Sequence, residues 1–400
     1  MDQGFQQRRP WWGRVWLSAA LVLLCAGCPA GRCGGGATGS GPVSQVDSGP
    51  VSQADSGPLA PPDSGVLAQT GGSALSAEER QAIAGVIAFI SERAKQKDVW
   101  LVKPTGEETQ LTDSPNEDDF TAAPSPDGKA LLIIAARSVS GLHMEQLRVQ
   151  PLSGGPPVPL NAPRARARNP SWSPDGRWLV AESDAKNFSD VVRLEPKAGA
   201  AEKYLTKARE GSFEPAVSPD GTEIAFVSSR EGDPEIYVMR ADGTKVRRIT
   251  AFYQEDREPK WSPDGKWLSF VSNREGRDRY FLVRPDGTQL RALSGAATKL
   301  DERELVWSPD SQQVAFVERL PDARSRILVA NVAGGEPVAL TDGTARDDAP
   351  AWSPDGKYLV FVAERQGDVD LGLMRADGSG QVRLTTAPGA DWLPRWFVPR

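Results

Sequence analysis

The stretch Pro259-Lys260-Trp261-Ser262-Pro263-Asp264-Gly265-Lys266-Trp267-Leu268-Ser269-Phe270-Val271 decides the fold. Pro263 presets the first central position of a turn, Asp264 suits the second, and Gly265 takes the left-handed conformation that returns the chain. Ser-Pro-Asp-Gly starts at Ser125, Ser173, Ser218, Ser262 and Ser353, with Ser-Pro-Asp-Ser at Ser308, at intervals of 48, 45, 44, 46 and 45 residues. A fixed period of this length is the signature of an array, and it matches one four-stranded propeller blade.

Each period contains a second hairpin. After the alternating strand Ile224-Ala225-Phe226-Val227 come Ile236-Tyr237-Val238, a turn at Asp242-Gly243, and Arg247-Arg248-Ile249-Thr250. The unit therefore reads as strands A to D. The strand-B position recurs at Phe89, Ile133, Ala181, Phe226, Phe270, Phe316 and Phe361. Strand D ends at Leu111, Leu160, Leu205, Ile249, Leu293, Leu340 and Leu384, and strand A ends at Pro124, Trp172, Val217, Trp261, Trp307, Trp352 and Trp396. The first B precedes the first A, and the last A follows the last D. The two ends should therefore share a blade, residues 85–112 with about 393–398, closing the ring and leaving no open edge. The expected fold is all-β, a seven-bladed propeller with this 3+1 closure. Six blades with a detached N-terminal hairpin is the alternative.

The near-intact Pro-x-Trp-Ser-Pro-Asp-Gly at 259–265 and 350–356, with Arg-Ala-Asp-Gly at 240–243 and 375–378, resembles the repeats of the TolB-type β-propeller family, WD-like repeats of bacterial envelope proteins. The resemblance covers residues 85–400. The protein that gives the family its name has an N-terminal α/β domain and six blades; residues 29–84 are too short and too biased in composition for such a domain.

The 400 residues carry a net charge of −6 and one histidine, His143. One imidazole does not build a multi-histidine metal site, and a Ser–His–Asp triad would have to use His143. No phosphate loop, G-x-S-x-G elbow or H-E-x-x-H occurs. The acidic balance argues against nucleic acid as a partner.

Arg8, Arg9 and Arg14 precede an apolar run from Val15 to Gly27, too short for a spanning helix and suited to a secretory signal. Leu24-Cys25-Ala26-Gly27-Cys28 resembles a bacterial lipobox, with Cys25 where an aliphatic residue is usual, and implies lipidation of Cys28. All 3 cysteines lie at or before Cys33, so the propeller is expected to use no disulfide. Cleavage after residue 27 removes Arg8, Arg9, Arg14 and Asp2 and takes the charge from −6 to −8. Residues 28–75 are rich in Gly, Pro and Ser and repeat SGPVSQVD, SGPVSQAD and SGPLAPPD, as a disordered tether does. Its span is roughly 35–40 Å. Ser76-Ala77-Glu78-Glu79 reads as a capping box opening a short lead-in over 76–84.

In a propeller the A–B and C–D turns share one face, so the aspartates of the Ser-Pro-Asp-Gly turns read as turn formers. On the opposite face the D–A loops end in Asp118, Asp119 and Phe120; Phe213 and Glu214; Asp256 and Glu258; Glu302 and Glu304; Asp347 and Asp348; Asp391 and Trp392. The B–C loops there open with Arg93, Arg137, Lys186, Arg230, Arg274, Arg319 and Arg365. These residues read either as a ring of arginine–carboxylate pairs joining neighbouring blades, or as a surface recognising a peptide or a charged cell-wall glycan. Arg164, Arg166 and Arg168 crowd one D–A loop, either as an anion patch or as a solvated charge run. His143 reads as a B–C surface residue. The acids show no EF-hand spacing, and no metal or cofactor is expected.

The propeller resemblance, the lipobox-like segment and the single histidine together lead to the expectation of a non-enzymatic, monomeric lipoprotein of the cell envelope, anchored in the outer membrane facing the periplasm, whose propeller binds an envelope protein or a peptidoglycan-associated partner. The alternative is a glycosidase built on two carboxylates of the loop face.

Overall fold

The computed structural model describes residues 73–93, 96–139, 142–161, 166–184, 188–295 and 300–400. The signal, Cys28, the tether through residue 72, Arg164 and Lys186 lie outside the described residues. Among those described, no helix is long and apolar enough to cross a membrane.

Seven antiparallel sheets of four strands are formed. Blade 4 shows the pattern: A is Ser212–Val217, B is Glu223–Ser228, C is Glu235–Arg240 and D is Arg247–Arg248, hydrogen-bonded in that order. Strands A of neighbouring blades contact one another around the axis, which places D at the rim. In blade 1 the C-terminal Asp391–Phe397 supplies strand A to Val86–Ser91, with Ile87 opposite Trp396 and Ser91 opposite Asp391. Both chain ends thus build one blade, and the ring has seven.

Strand B differs from the alternating expectation. Ile224, Ala225, Phe226 and Val227 are all buried because each blade is covered on both faces. Phe226 packs towards blade 3 with Val180, while Ala225 packs towards blade 5 with Phe270. Seven apolar clusters result, one at each junction between neighbouring blades.

The repeated polar residues staple this arrangement. In Ser262-Pro-Asp-Gly, the buried Ser262 hydroxyl donates to Asp264 Oδ1 at 2.7 Å and accepts from Trp267 N at 2.9 Å. Gly265 has φ +70°, and Ser311 adopts φ +62° where the motif lacks glycine. Trp261 and Trp352 each donate their indole N–H to strand A of the preceding blade, at Ala216 O (3.0 Å) and Val306 O (3.3 Å). A threonine just beyond the strand-D leucine or isoleucine ties strand C: Ile236 N donates to Thr250 Oγ1, Ile327 N to Thr341 Oγ1 and Leu371 N to Thr385 Oγ1, at 2.9 to 3.0 Å.

The lead-in forms a short helix, α1 (Ala77–Ala82), capped by Ser76, whose hydroxyl accepts from Glu79 N at 3.1 Å. Only half of the capping box is used. The Glu79 carboxylate binds Arg375 in the C–D turn of blade 7. His143 lies in strand C of blade 2 (Leu142–Pro151), opposite Ser138, rather than in the B–C loop.

Candidate functional site

Strand A carries the site, and its register sorts the residues named above. Its first tier is buried: Asp119, Ala167, Ser212, Asp256, Glu302, Asp347 and Asp391. Three of these acids pair with the B–C arginine of their own blade, Asp391 with Arg93 at 3.0 Å, Asp256 with Arg274 at 2.8 Å and Asp347 with Arg365 at 2.7 Å. The guanidiniums also lie over the strand-B rings, Arg93 on Phe89, Arg230 on Phe226 and Arg274 on Phe270, at 5.4 to 5.5 Å. Burial pushes the Asp119, Asp347 and Asp391 carboxyls above the usual range. Glu302 accepts Tyr280 N at 2.9 Å, and Asp119 accepts the Ser114 hydroxyl at 2.8 Å.

These arginine–carboxylate pairs run within blades, not between them as expected. An arginine opening the B–C loop sits directly beside the first residue of strand A in its own sheet. Arg137 and Arg319 do not follow the rule; Arg137 pairs with Glu117 at 3.4 Å. Asp118 accepts Lys97 N at 3.0 Å.

The second tier rims the channel mouth and changes identity from blade to blade: Phe120, Arg168, Phe213, Arg257, Arg303, Asp348 and Trp392. Contacts between blades appear here. Arg303 reaches Asp348 at 2.8 Å, and Arg168 pairs with Glu145 of blade 2. Arg166 faces Asp184 at 3.8 Å, so Arg166 and Arg168 are both engaged with acids. Lys97 lies over Phe120 at 5.8 Å and Arg346 over Trp392 at 5.7 Å, while the Trp392 indole N–H is buried with no hydrogen-bond partner.

The third tier is a β-bulge, where the A–B register slips and the backbone turns left-handed. Its φ values are +47° at Asn169, +50° at Glu214, +56° at Glu258, +58° at Glu304, +47° at Ala349 and +50° at Leu393. Such angles are unfavourable for side chains other than Asn or Gly and persist only where packing over-determines them. Glu258 N donates to Glu214 Oε2 and Ala349 N to Glu304 Oε2, each at 2.6 Å, linking successive blades. Burial, then the neighbouring Glu258 charge, pushes the Glu214 carboxyl up to about 7. Burial and Asp348 likewise raise Glu304.

Two residues below this tier, Lys260 and Arg395 were not singled out from the sequence. Their signal is positional: the corresponding residues elsewhere are Ala123, Ser171, Ala216, Val306 and Ala351. Among the described residues no three His, Cys, Asp or Glu side chains converge as metal ligands do.

A closed ring of seven four-stranded blades with an irregular, charged and aromatic mouth defines a β-propeller whose variable chemistry lies on its D–A face. The family model for the TolB beta propeller domain (PD40) matches residues 146–396, and the chain belongs to that family. Over 235 residues it is 29% identical to the Tol-Pal system protein TolB of Francisella tularensis subsp. tularensis (strain WY96-3418), covering 57% of this chain and 53% of the relative. Over 212 residues it is 31% identical to an uncharacterized peptidase, YuxL, of Bacillus subtilis (strain 168), covering 49% of this chain and 29% of the relative. The chain thus spans about half or less of the length of these curated relatives. The structure of putative TolB from Agrobacterium tumefaciens aligns with TM-score 0.50 and 24% identity, over 69% of this chain and 96% of that one.

Proposed function

We propose that the protein is a non-enzymatic binding scaffold of the cell envelope, which holds an envelope protein or a peptidoglycan-associated partner against the D–A mouth of its propeller. One observation carries this reading. The blades repeat most of their turns, strand-B rings and strand-D ties, but the half-buried mouth residues Phe120, Arg168, Phe213, Arg257, Arg303 and Trp392 follow no repeat. Folding needs the repeated positions; a partner reads the irregular ones. Kinship with a Tol-Pal system protein supports an envelope setting. In this reading Cys28 carries the lipid that holds a monomeric propeller at the outer membrane, facing the periplasm.

The test is photocrosslinking in the native envelope from positions 213 and 392, with a control at 310 on the Ser-Pro-Asp face. A discrete adduct from the mouth positions alone supports the scaffold. Equal labelling from position 310 defeats it. A Cys28→Ala variant released from the membrane fraction supports the anchor.

A second reading rests on Glu214, held close to half-protonated near neutral pH beside Glu258. An acid and a carboxylate so placed are the elements of a glycosidase. Glycan hydrolysis lost in both Glu214→Gln and Glu258→Gln would establish that enzyme.

A further inference from the structure

The channel becomes cationic towards the Ser-Pro-Asp face. Five blades place Ala123, Ser171, Ala216, Val306 or Ala351 on the tier two residues below the bulge, whereas blades 5 and 1 place Lys260 and Arg395 there. These alternate with buried neighbours, Pro259 and Trp396 among them, so the tier faces the axis. Lys260 and Arg395 act on each other electrostatically although blades 6 and 7 separate them around the ring, so both charges sit across the channel.

Neither cation is matched by a contacting carboxylate. Lys260 Nζ donates to Leu305 O at 2.8 Å. Arg395 Nη1 donates to Pro394 O, the carbonyl of its own preceding residue, at 3.2 Å, and no ion pair to Arg395 is present among the described residues. One donor of five is thus used on a group built to grip a planar anion with two. Burial destabilises both charged forms, and Glu304 supplies the counter-charge felt at Arg395. Glu258 is already bound by Arg257 at 2.8 Å. The glutamates of the tier above act on Lys260 from a distance, Glu258 most strongly, and none of them forms an ion pair with Lys260 or Arg395, so the remaining donors of both side chains are left for an anion.

We infer that Lys260 and Arg395 form a binding site for one carboxylate, a peptide C terminus or an acidic side chain, entered through the channel from the Ser-Pro-Asp face. The small side chains of the other five blades leave room for it, and the glutamate tier above disfavours a doubly charged phosphate. The site is independent of the mouth on the opposite face.

The probe is N-acetylglycine, with its neutral amide, chloride at equal ionic strength and inorganic phosphate as controls, titrated against the full chain by ligand-observed NMR and thermal unfolding. Saturable carboxylate binding is expected, weakened at least tenfold in Arg395→Gln and in Lys260→Gln. Without probe, Arg395→Gln should unfold at the same or a higher temperature than the parent, because a half-buried charge with no ion-pair partner is removed. If that variant does not fold, Lys260→Gln decides. The site is refuted by unchanged carboxylate binding in the folded variants, or by equal binding of the amide or of chloride. Tighter binding of phosphate overturns the ligand class.

Discussion

Arg375 grips Glu79 through both carboxylate oxygens, Nη2 to Oε2 at 2.6 Å and Nε to Oε1 at 2.9 Å, across 296 residues of sequence. Arg375 Nη1 also donates to Ser73 O at 3.2 Å, Leu75 N donates to Gly380 O at 3.2 Å, and Arg80 Nε donates to Pro104 O at 2.7 Å. The segment from residue 73 to 84 is thereby pinned to blade 7 on one side and blade 1 on the other. Leu75 and Ile83 bury their side chains in the cluster between those blades.

Glu79→Ala is expected to cost about 1–2 kcal/mol, the scale of a partly exposed charge-assisted pair whose partner returns to water. Thermal unfolding measures it. Leu75→Ala in the same background should add a further loss, since Leu75 seals the apolar junction; an unchanged melting temperature for both variants would show that the segment does not brace the ring.

Gly85 sits where the lead-in enters the closing blade, with φ +100°, and a Cβ there would lie 2.6 Å from Phe397 O and 2.8 Å from Trp396 Nε1. Gly85→Ala therefore combines left-handed strain with a clash against backbone and should cost about 2–4 kcal/mol. Limited proteolysis should then open the chain first at its C-terminal strand. The outcome separates a closure held by this strand from one held elsewhere.

Glu214 gives stability a pH dependence of definite sign. Its folded-state carboxyl is pushed up to about 7 from the ordinary glutamate value of 4.5, so folding favours the protonated form. That contribution is complete below about pH 4.5 and is lost as pH rises through 7. Glu214→Gln should flatten the decline between pH 5 and 8, by about 1–3 kcal/mol. Denaturant titrations of the two proteins across that range measure the difference.

Partner capture should fall at least tenfold in Trp392→Ala and Phe213→Ala, both half-buried at the mouth, while the folded proteins unfold at a lower temperature because each side chain also packs on an apolar cluster; capture is therefore compared well below both midpoints. Asp348 is a poor choice for the same test. Although it reads as a surface acid in sequence, it is 4% exposed and binds Ser325 Oγ at 2.7 Å, Arg303 at 2.8 Å and Arg346 at 2.5 Å. Asp348→Ala should lower stability by about 3 kcal/mol or more by stranding two guanidiniums.

Much of the architecture is legible from residues alone, because a propeller is built by local rules applied repeatedly. Ser262, Pro263, Asp264 and Gly265 make their turn from their own chemistry, and counting Phe89 to Phe361 against Pro124 to Trp396 yields seven blades and a shared first blade. The alternation expected at Ile224–Val227 was absent because burial on both faces depends on neighbouring blades that one strand does not announce. The ties made by Thr250 and Thr341 are hidden for a similar reason: their hydroxyls matter only once strand D lies beside strand C.

The sequence by itself determined the repeat, the turn chemistry, the number of blades and the face on which the irregular residues gather. Tertiary structure alone decided which charges meet. Asp256 and Arg274 pair inside their own blade, Arg303 and Asp348 pair between blades, and Lys260 and Arg395, 135 positions apart, face one channel. The physical reason is range: turn and strand formation depend on residues a few positions apart, whereas charge pairing depends on distances in space that exist only after the ring has closed.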